Sequence, residues 1–407
     1  MINERIANIP VGDNEPPKIV GVINISPESF YRDSVITVQS DNLINYIEKM
    51  VQDGVDIIDV GAASTAPPNK YPWAKYVSEA EELERITTFL KNVRSQFDLP
   101  ISIDTQRASV AEKALNLGAN IINDVSGLKH DSKMAQIIAQ YDAYTFLMAT
   151  NKRPGDVHSI YESYYALKKS IEIAYDAGVD PKKIVVDPGI GFGKSTEEDL
   201  ELIGKLKILK LLQKPILVGI SRKAFIGDLL SLPNPKDRLF GSLAATAVAV
   251  LNSAHLIRTH DVSPTKQVVT VAYRLKRVTQ IESDRVEFID FGENLDIIEF
   301  ILSEINVQKE IISPLATKAV FLRILLRDVP VPEALIIKQE MLAAGGDAAY
   351  HYETIDFDID KTDLLIMGTL YQVKRMKNKI KKMNFGNLND VATRIDDLLN
   401  KFSGDCN

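Results

Sequence analysis

Short apolar runs alternate with amphipathic segments along the first two thirds of the chain. Each run is rich in isoleucine and valine, ends at a small or polar residue, and is followed by a segment with helical spacing. Continuous apolar runs, unlike alternating ones, are typical of strands buried on both faces of a parallel sheet. The eight runs between Lys18 and Lys276 are KIVGVI, VDIIDVG, PISI, ANII, YTFLM, KIVV, PILVGI and HLI.

The segments between the runs predict helices. Asn42 to Asp53 has its apolar residues on one helical face and is followed by Gly54; Ala108 to Leu117 repeats the pattern. Eight strand–helix units in roughly 260 residues predict an α/β fold, a closed (β/α)8 TIM barrel. An open doubly wound sheet is the alternative, and the regular recurrence favours closure.

A charged, irregular stretch, VTQIESDRVEFIDFGENLD, marks a boundary after the last unit. We predict an N-terminal tail over residues 1–15, the barrel over 16–283, and a smaller C-terminal α/β domain over 284–407. In that domain we predict a strand at Lys318–Leu325 and a helix at Pro332–Ala344. A second helix is predicted from the helical spacing of Ile366, Leu370, Val373, Met376, Ile380 and Met383.

The composition indicates a globular protein that does not span a membrane. Of 407 residues, 45% are hydrophobic and 25% charged, and the net charge of −7 argues against nucleic acid as the main partner. The basic stretch KRMKNKIKKM is therefore interpreted as a solvated helix face. The longest apolar stretch, LAATAVAVL, is far shorter than the ~18 residues of a membrane span. The opening MINERIANIP lacks the core of a signal peptide, and the single cysteine, Cys406, indicates a reducing compartment, so we expect a cytoplasmic protein.

Polar residues stand at the carboxyl ends of the predicted strands, where a barrel gathers its chemistry. Any one of them could cap a helix or fix a turn, but a dozen on one rim indicate a pocket. Hydrogen-bond acceptors grouped with cations are typical of a site for a planar substrate with several N–H groups. Arg258 and His260 are two positions apart on an extended segment, so they point the same way and could bind a phosphate. These residues are Asn24, Asp59, Asp104, Asn123, Asp124, Asp187, Ser221, Arg222, Lys223, Arg258, His260 and Asp261.

The glycine-rich segment Pro188–Ser195, PGIGFGKS, lies after the sixth run. It is not a P-loop, because Pro188 stands where the first glycine should be, and its glycines miss the dinucleotide-binding spacing. A mobile loop that closes over substrate is the favoured interpretation, and a tight strand–helix turn is the alternative.

Seven segments in order make the chain resemble the dihydropteroate synthase family over roughly residues 18–276. They are VGVINISPESF, DGVDIIDVGAAST, ISIDTQRASVAEKALNLGANIINDVSG, DPGIGFGK, LVGISRKAFIG, DRLFGSLAATAVAV and HLIRTHDV. The resemblance implies a transferase that joins an aminobenzoate amine to 6-hydroxymethyl-7,8-dihydropterin diphosphate and releases diphosphate, with Mg²⁺ as cofactor. It also implies a homodimer formed through barrel helices.

The resemblance implies a role for individual residues. Asp104, Asn123 and Asp187 would hold the pterin's pyrimidine edge, and Lys223 would lie near its carbonyl and N5. Met148 and Phe192 would line the pterin pocket. Asn24, Arg258 and His260 would bind the diphosphate, with Asn24 also near the metal, and Lys223, Arg258 and His260 would be catalytic. Ser221 and Thr65 would lie on the amine side, and Ser29–Asp33 would form a flexible loop that closes on the site.

Three departures from the family pattern all lie on the loop and amine side. The usual S-T-R-P-G reads Ser64-Thr65-Ala66-Pro67-Pro68, LMHM reads Leu147-Met148-Ala149-Thr150, and the first loop contains Tyr31-Arg32 in place of a glycine-containing form. These departures leave the identity of the acceptor amine undetermined, and an aminobenzene that carries a ribosyl phosphate is one alternative to aminobenzoate. A pterin-dependent methyltransferase and a catalytically inactive pterin-binding or assembly protein are the alternative functions.

Overall fold

The structure is a computed structural model that describes residues 2–26, 41–63, 77–279 and 294–404. The chain divides into two compact units, Met1–Phe288 and Ile289–Asn407. The two units are described separately below.

Residues assigned from sequence to an N-terminal tail form an antiparallel hairpin, β1 (Asn3–Ile6) and β2 (Ile9–Gly12). Ile6 and Val11 are buried in one apolar cluster with the amino-terminal parts of barrel strands, among them Val20 and Phe146. The hairpin therefore packs against the floor of the barrel. The two strands are too short for their pattern to predict this, because their burial arises from tertiary contact.

Eight parallel strands form the barrel sheet, each paired with its successor along the chain except at one seam. At that seam a parallel bridge between Val186 and Ile216 joins the sixth strand to the seventh. The ring confirms the predicted TIM barrel over the open sheet. The strands are β3 (Lys18–Asn24), β4 (Ile57–Gly61), β5 (Ile101–Asp104), β6 (Ile121–Asp124), β7 (Tyr144–Met148), β8 (Ile184–Asp187), β9 (Leu217–Gly219) and β10 (Leu256–Thr259).

Helices follow the strands where the apolar spacing predicts them, and the two helices that the sequence analysis delimited end within a residue of the expected positions. The second helix begins at a capping box in which Ser78 and Glu81 satisfy each other's backbone N–H groups. The helices of this unit are α1 (Asp41–Gln52), α2 (Glu79–Val93), α3 (Ala108–Asn116), α4 (Met134–Gln140), α5 (Ile160–Asp176), α6 (Thr196–Gly204), α7 (Ala224–Leu230), α8 (Leu239–Leu251) and α9 (Val262–Thr279).

The C-terminal unit contains an antiparallel sheet in the order β11-β13-β12 with helices packed on its apolar face. Three lysines of the basic stretch form ion pairs within the unit: Lys377 and Lys381 contact Asp396, and Lys379 lies 2.5 Å from Glu340. The elements are α10 (Leu295–Glu304), α11 (Lys309–Ala319), β11 (Phe321–Pro330), α12 (Val331–Ala344), β12 (Asp347–Tyr350), β13 (Lys361–Thr369), α13 (Leu370–Ile380) and α14 (Leu388–Gly404).

Two predictions in this unit need correction. The first strand begins at Phe321, because Lys318 lies in the last turn of α11. Ile366 belongs to strand β13 and not to the helix that begins at Leu370, and Met383 lies beyond the end of that helix at Ile380. Ile366 lies four residues before Leu370, which fits a helix. In β13, however, every second side chain is buried, so two buried residues of a strand can also be four positions apart. The helix predicted at Pro332–Ala344 is confirmed as α12.

In the part of the chain that the structure describes, no helix has both the length and the apolar character needed to cross a bilayer.

Candidate active site

Polar side chains from most barrel strands meet at the carboxyl-end rim of the barrel. Parallel strands all end at this rim, so residues far apart in sequence become neighbours. Hydrogen bonds that join β3, β4, β5 and β10 across the rim show that the side chains share one site. The predicted residues located there are Asn24, Asp104, Asn123, Met148, Asp187, Ser221, Lys223, Arg258 and His260.

Asp59 lies at the centre of this network and its side chain is fully buried. Its carboxylate accepts hydrogen bonds from Ser102 Oγ at 2.6 Å, Asn123 Nδ2 at 3.2 Å and Arg258 Nε at 2.6 Å. One side chain thus fixes groups from three other strands. The sequence analysis placed Asp59 at a strand end without giving it a role. The signal that could have found it is a carboxylate inside the apolar run VDIIDVG, since a buried charge requires partners.

Asp104 offers an unused acceptor at the site. Its Oδ2 accepts from Arg258 Nη2 at 3.1 Å, whereas its Oδ1 is buried and has no hydrogen-bond partner among the described residues. Burial raises the pKa of Asp104 to about 7, and the nearby carboxylate of Asp59 adds to this against the opposing effect of Arg258. A buried acceptor without a donor is unfavourable, so a ligand N–H group would be stabilised at this oxygen.

Lys223 and Asp187 lie at the same rim, where Asp187 ends β8 and Lys223 follows β9. The Lys223 ammonium donates to the carbonyl of Ile190 and lies 4.7 Å from the centre of the Phe192 ring. Burial lowers the pKa of Lys223 to about 8, although Asp187 opposes this effect. Burial also raises the pKa of Asp187, whose Oδ1 accepts from the backbone N–H of Gly189 at 2.7 Å. Both groups are therefore held with little solvent, where their contacts with a ligand are strong.

The glycine-rich loop is braced by its own side chains. Lys194 is buried and its Nζ donates to the carbonyl oxygens of Gly189 at 2.8 Å and Phe192 at 3.3 Å. The N–H of Gly191 donates to Asp199 Oδ1 at 2.6 Å. A P-loop lysine would instead be directed to a phosphate, so these contacts agree with the expectation from the missing first glycine.

Asn24 and His260 meet at the other end of the rim, with Asn24 Nδ2 lying 3.4 Å from His260 Nε2. The other ring nitrogen, Nδ1, lies 3.1 Å from Ser221 Oγ. Burial, together with Arg258, Arg222 and Lys223, lowers the pKa of His260 to about 3. The imidazole is therefore neutral at physiological pH and can contribute hydrogen bonds, but not charge, to anion binding.

A family model described as pterin binding enzyme matches residues 20–260, more than half of the chain. The chain belongs to this family. The matched range contains all the predicted site residues except Asp261, with His260 at its last position.

Several similar proteins are dihydropteroate synthases, and the solved structures of two of them contain pteroic acid or 4-aminobenzoic acid. The dihydropteroate synthase of Clostridium beijerinckii is 40% identical over 245 residues, covering 60% of this chain and 88% of that protein. The structure of a dihydropteroate synthase from Coxiella burnetii in complex with pteroic acid is similar with a TM-score of 0.59 and 33% identity, over 68% of this chain and 100% of that one. The Xanthomonas albilineans dihydropteroate synthase with 4-aminobenzoic acid gives a TM-score of 0.59 and 30% identity, over 69% and 99%.

Some residues predicted at the rim of this pterin binding enzyme have structural contacts instead. Asp124 is buried and accepts from the backbone N–H groups of Ser126 at 2.8 Å and Leu128 at 2.9 Å, which makes it a turn-forming residue. Arg222 and Asp261 form a bidentate ion pair at 2.8 and 2.7 Å. Ala149 and Thr150, two of the departures from the family pattern, are buried. Thr65, Ala66 and the segment Ser29–Asp33 lie outside the described residues.

The donor set at the rim limits how a metal could bind. Among the described residues, no three His, Cys, Asp or Glu side chains lie together in a group suited to a metal ion. Asn24 contributes an amide oxygen at the end of β3. Mg²⁺ prefers oxygen ligands, keeps several waters and is often bound through substrate phosphates. The residues thus fit a Mg²⁺ ion that is ligated mainly by a diphosphate and water, and they do not form a cage of protein ligands.

Proposed function

We propose that this chain is a transferase of the dihydropteroate synthase type, acting on 6-hydroxymethyl-7,8-dihydropterin diphosphate and an aminobenzoate in folate biosynthesis. The observation that carries the proposal is the buried Oδ1 of Asp104, which has no hydrogen-bond partner among the described residues and shares the rim with the further acceptors Asn123 and Asp187. The names of the relatives, and the pteroic acid and 4-aminobenzoic acid in two related structures, support it.

The pterin is proposed to bind through its nitrogen-rich edge. Asp104 Oδ1 and Asp187 offer carboxylate oxygens to the N–H donors of the pyrimidine ring. Asn123 gives its Nδ2 to Asp59, so Oδ1 is the acceptor that it can offer a ligand. Lys223, which can donate from Nζ, would contact the ring carbonyl and N5. Met148 and Phe192 supply apolar surface, with Met148 packed beside Gly189.

In the reaction, a bond forms between the amine nitrogen and the methylene carbon of the pterin. The bond from that carbon to the diphosphate oxygen breaks, the diphosphate leaves with the electron pair, and the amine gives up its proton to the released diphosphate or to water. An arylamine is already neutral at pH 7, so no strong general base is required. The main requirement is stabilisation of the departing oxygens, which we assign to Arg258 and neutral His260 with Asn24.

The carboxylates would also act on the pterin as the carbon–oxygen bond breaks. If cleavage runs ahead of amine attack, positive charge develops on the pterin, and Asp104 and Asp187 are placed to stabilise it through the ring N–H groups. Both side chains are largely but not fully buried, which strengthens this interaction because little water screens it. A secondary isotope effect near unity at the methylene carbon would contradict this order of events.

When bound, Mg²⁺ would supply positive charge that compensates the charge developing on the diphosphate. Asn24 would hold the ion through its amide oxygen, and Arg258 would contact the diphosphate from the neighbouring strand β10. The residues above bind the pterin and the diphosphate, and they do not determine which amine is the second substrate. We assign Ser221 and Thr65 to its side of the site. Because Ala66 replaces the arginine of the family pattern, an acceptor without a carboxylate, such as a ribosyl-phosphate aminobenzene, is included in the proposal.

A homodimer is proposed from an apolar surface on two barrel helices. On α8, Phe240 is 81% exposed, and Val248 and Leu251 follow at helical spacing on the same face. On the adjacent α9, Val271 and Leu275 are also exposed. Exposed apolar side chains grouped on neighbouring helices favour an association site over free surface. The net charge of −7 and the single cysteine support a cytoplasmic protein without nucleic acid as a partner.

Turnover with a panel of substrates tests the proposal. The full chain is incubated with the pterin diphosphate, Mg²⁺ and, separately, 4-aminobenzoate, its ribosyl-phosphate derivative and other arylamines; product and diphosphate are measured. We expect stoichiometric release of both with at least one amine, and loss of activity in Arg258→Ala. Methyl transfer from a methyl-tetrahydropterin to cobalamin would favour the methyltransferase. Tight pterin binding without turnover of any amine would favour the inactive binding protein.

A further inference from the structure

The peptide group that joins Ile190 to Gly191 in the glycine-rich loop has a partner on each side. Its carbonyl, on Ile190, accepts from the Lys223 ammonium, and its N–H, on Gly191, donates to Asp199 Oδ1 at 2.6 Å. A trans peptide group is planar, and its C=O and N–H point in opposite directions. The contact that holds the N–H therefore also fixes the direction of the carbonyl, which is towards Lys223.

Asp199 holds this peptide group from a helix and not from the loop itself. It lies in the first turn of α6, which begins at a capping box formed by Ser195 and Glu198, and it is only 2% exposed. A hydrogen bond from a backbone N–H to a carboxylate is stronger than one between neutral groups, and burial strengthens it further. The middle of the loop is thus attached to a regular element whose position is set by its own packing.

Lys223 benefits from a fixed acceptor because its side chain is long and flexible. The ammonium has three N–H donors on a four-carbon stem, so it can point in many directions unless a contact selects one. One donor is used by the Ile190 carbonyl, and the nitrogen lies 4.7 Å from the centre of the Phe192 ring. With this donor held, the direction of the remaining donors is restricted as well.

The charge of Asp199 acts together with its hydrogen bond. Burial lowers the pKa of Lys223 to about 8, and Asp187 and Asp199 oppose this effect, whereas Arg258 and Lys194 add to it. Lys223 is therefore protonated below about pH 8 and keeps its three donors there. Asp199 favours the charged ammonium and also holds the peptide group to which that ammonium donates.

We propose that Asp199 is a positioning residue that holds the Ile190–Gly191 peptide group and thereby directs the Lys223 ammonium to the substrate. The substrate contact, with the carbonyl and N5 of the pterin, rests on the proposed function, whereas the position of the lysine in the ligand-free protein does not. Two substitutions separate the hydrogen bond from the charge. Asp199→Asn keeps an acceptor oxygen for the Gly191 N–H, and Asp199→Ala removes it.

Nitrogen NMR of the lysine ammonium groups tests the position of Lys223 without any ligand. The full chain is labelled with ¹⁵N at lysine Nζ and measured at pH 6, where Lys223 and the buried Lys129, both with a pKa of about 8, are protonated. Buried, hydrogen-bonded ammonium groups exchange slowly with water and give sharp signals, and Lys223→Arg identifies the signal of interest. We expect this signal in the wild type and in Asp199→Asn, and its loss in Asp199→Ala.

Two controls separate this effect from a general loss of structure. Lys129 donates from Nζ to two backbone carbonyls and a serine hydroxyl elsewhere in the barrel unit, so its signal should persist in every variant. Glu197→Ala removes an exposed acid from the same first turn of α6 and should leave both signals unchanged. A Lys223 signal that persists in Asp199→Ala, loss of both signals in that variant, or loss of the Lys223 signal in Asp199→Asn would overturn the proposal.

Kinetics of the same variants report the effect on the substrate. In Asp199→Ala we expect kcat/KM for the pterin diphosphate to fall about ten- to a hundred-fold, because the ammonium is displaced, with KM for the amine unchanged. Asp199→Asn should retain most of the activity. An active wild type with equal kcat/KM in Asp199→Ala would overturn the proposal. A wild type without turnover, but with the expected Lys223 signals in all variants, would count against the proposed function alone.

Discussion

Arg258 donates from Nε to the fully buried carboxylate of Asp59 at 2.6 Å, across the rim from β10 to β4. This contact fixes the guanidinium so that Nη2 reaches Asp104 at 3.1 Å. The residue expected from sequence to bind diphosphate is thus also the cation that compensates two buried carboxylates. Arg258 therefore connects the residues proposed to bind the pterin edge with those proposed to bind the diphosphate.

Removal of Asp59 should destabilise the fold. Asp59→Ala leaves the Arg258 guanidinium without its closest partner and removes the acceptor of Ser102 and Asn123. Breaking a buried ion pair from one side costs about 3 to 5 kcal/mol, which denaturant unfolding can measure. Asp98→Ala is the control, because Asp98 forms an exposed pair with Arg94 at 3.7 Å and its loss should cost under about 1 kcal/mol. Equal stability of the two variants would contradict the role given to Asp59.

The stability of the ligand-free protein should depend on pH through Asp104. The folded state raises its pKa from 3.8 to about 7, so the folded chain retains a proton that the unfolded chain releases. The resulting stabilisation is present below the unfolded pKa and is lost as pH rises through about 7. The free energy of unfolding of wild type minus that of Asp104→Asn should therefore decrease between pH 4 and pH 7. Other titrating groups, such as Asp13, are present in both proteins and cancel; a difference that is constant with pH would be inconsistent with this account.

Gly191 should be required for the position of Lys223. Its φ is +76°, and a Cβ there would lie 2.3 Å from Lys223 Cδ. Gly191→Ala should lower kcat/KM about a hundred-fold, because small displacements of reacting groups have effects of this size. Gly178→Ala is a matched control, with φ of +87° and no atom within 4 Å of the added Cβ. Both variants should lose about 1 to 2 kcal/mol of stability from the left-handed backbone, but only Gly191→Ala should lose activity. Equal activities would show that the lysine is not constrained by this contact.

The N-terminal hairpin should contribute to stability and not to catalysis. Ile6 is almost fully buried among the amino-terminal parts of barrel strands, far from the carboxyl-end rim. Ile6→Ala should reduce the free energy of unfolding by about 2 to 5 kcal/mol with kcat unchanged. The partly buried Ile9 in the same hairpin provides the comparison, and Ile9→Ala should cost less. An unaltered unfolding midpoint for Ile6→Ala would mean that the hairpin does not support the barrel.

The proposed dimer should depend on the apolar surface of α8. Phe240→Glu places a charge at the most exposed large apolar residue recorded among the described residues, and burying an unpaired charge opposes association. Sedimentation should show a dimer for wild type and a monomer for this variant. Phe357→Glu changes an exposed phenylalanine of the C-terminal unit and should leave the mass unchanged. A wild-type protein that sediments as a monomer would exclude the dimer.

The sequence predicted the barrel because strands of a parallel sheet are buried on both faces and therefore appear as uninterrupted apolar runs. Eight such short runs, each followed by a helical segment, indicate a (β/α)8 barrel. It did not predict the β1–β2 hairpin, since each strand has only four residues and its buried side chains, Ile6 and Val11, are buried only against the assembled floor. Ile366 was assigned to a helix because a spacing of four is compatible with both a helix and a strand.

The sequence predicted which residues lie at the rim better than it predicted the hydrogen bonds between them. Strand ends identified Asp104, Asn123 and Asp187 because their position along the chain is enough to place them at one rim. The role of Asp59 depends on three partners from distant strands. The bond between Ser221 and His260 joins residues 39 positions apart, and no local pattern in SRK indicates it. Such contacts are consequences of the closed ring and require coordinates.

Calorimetric titration of the full chain with 6-hydroxymethyl-7,8-dihydropterin diphosphate and Mg²⁺ is the most direct test of the central claim that the rim acceptors bind a pterin. The account predicts one site per chain in the wild type and affinity about ten- to a hundred-fold lower in Asp104→Asn, since a hydrogen bond to a charged group is lost. Absence of binding to the wild type, or equal affinity of the two proteins, would contradict it.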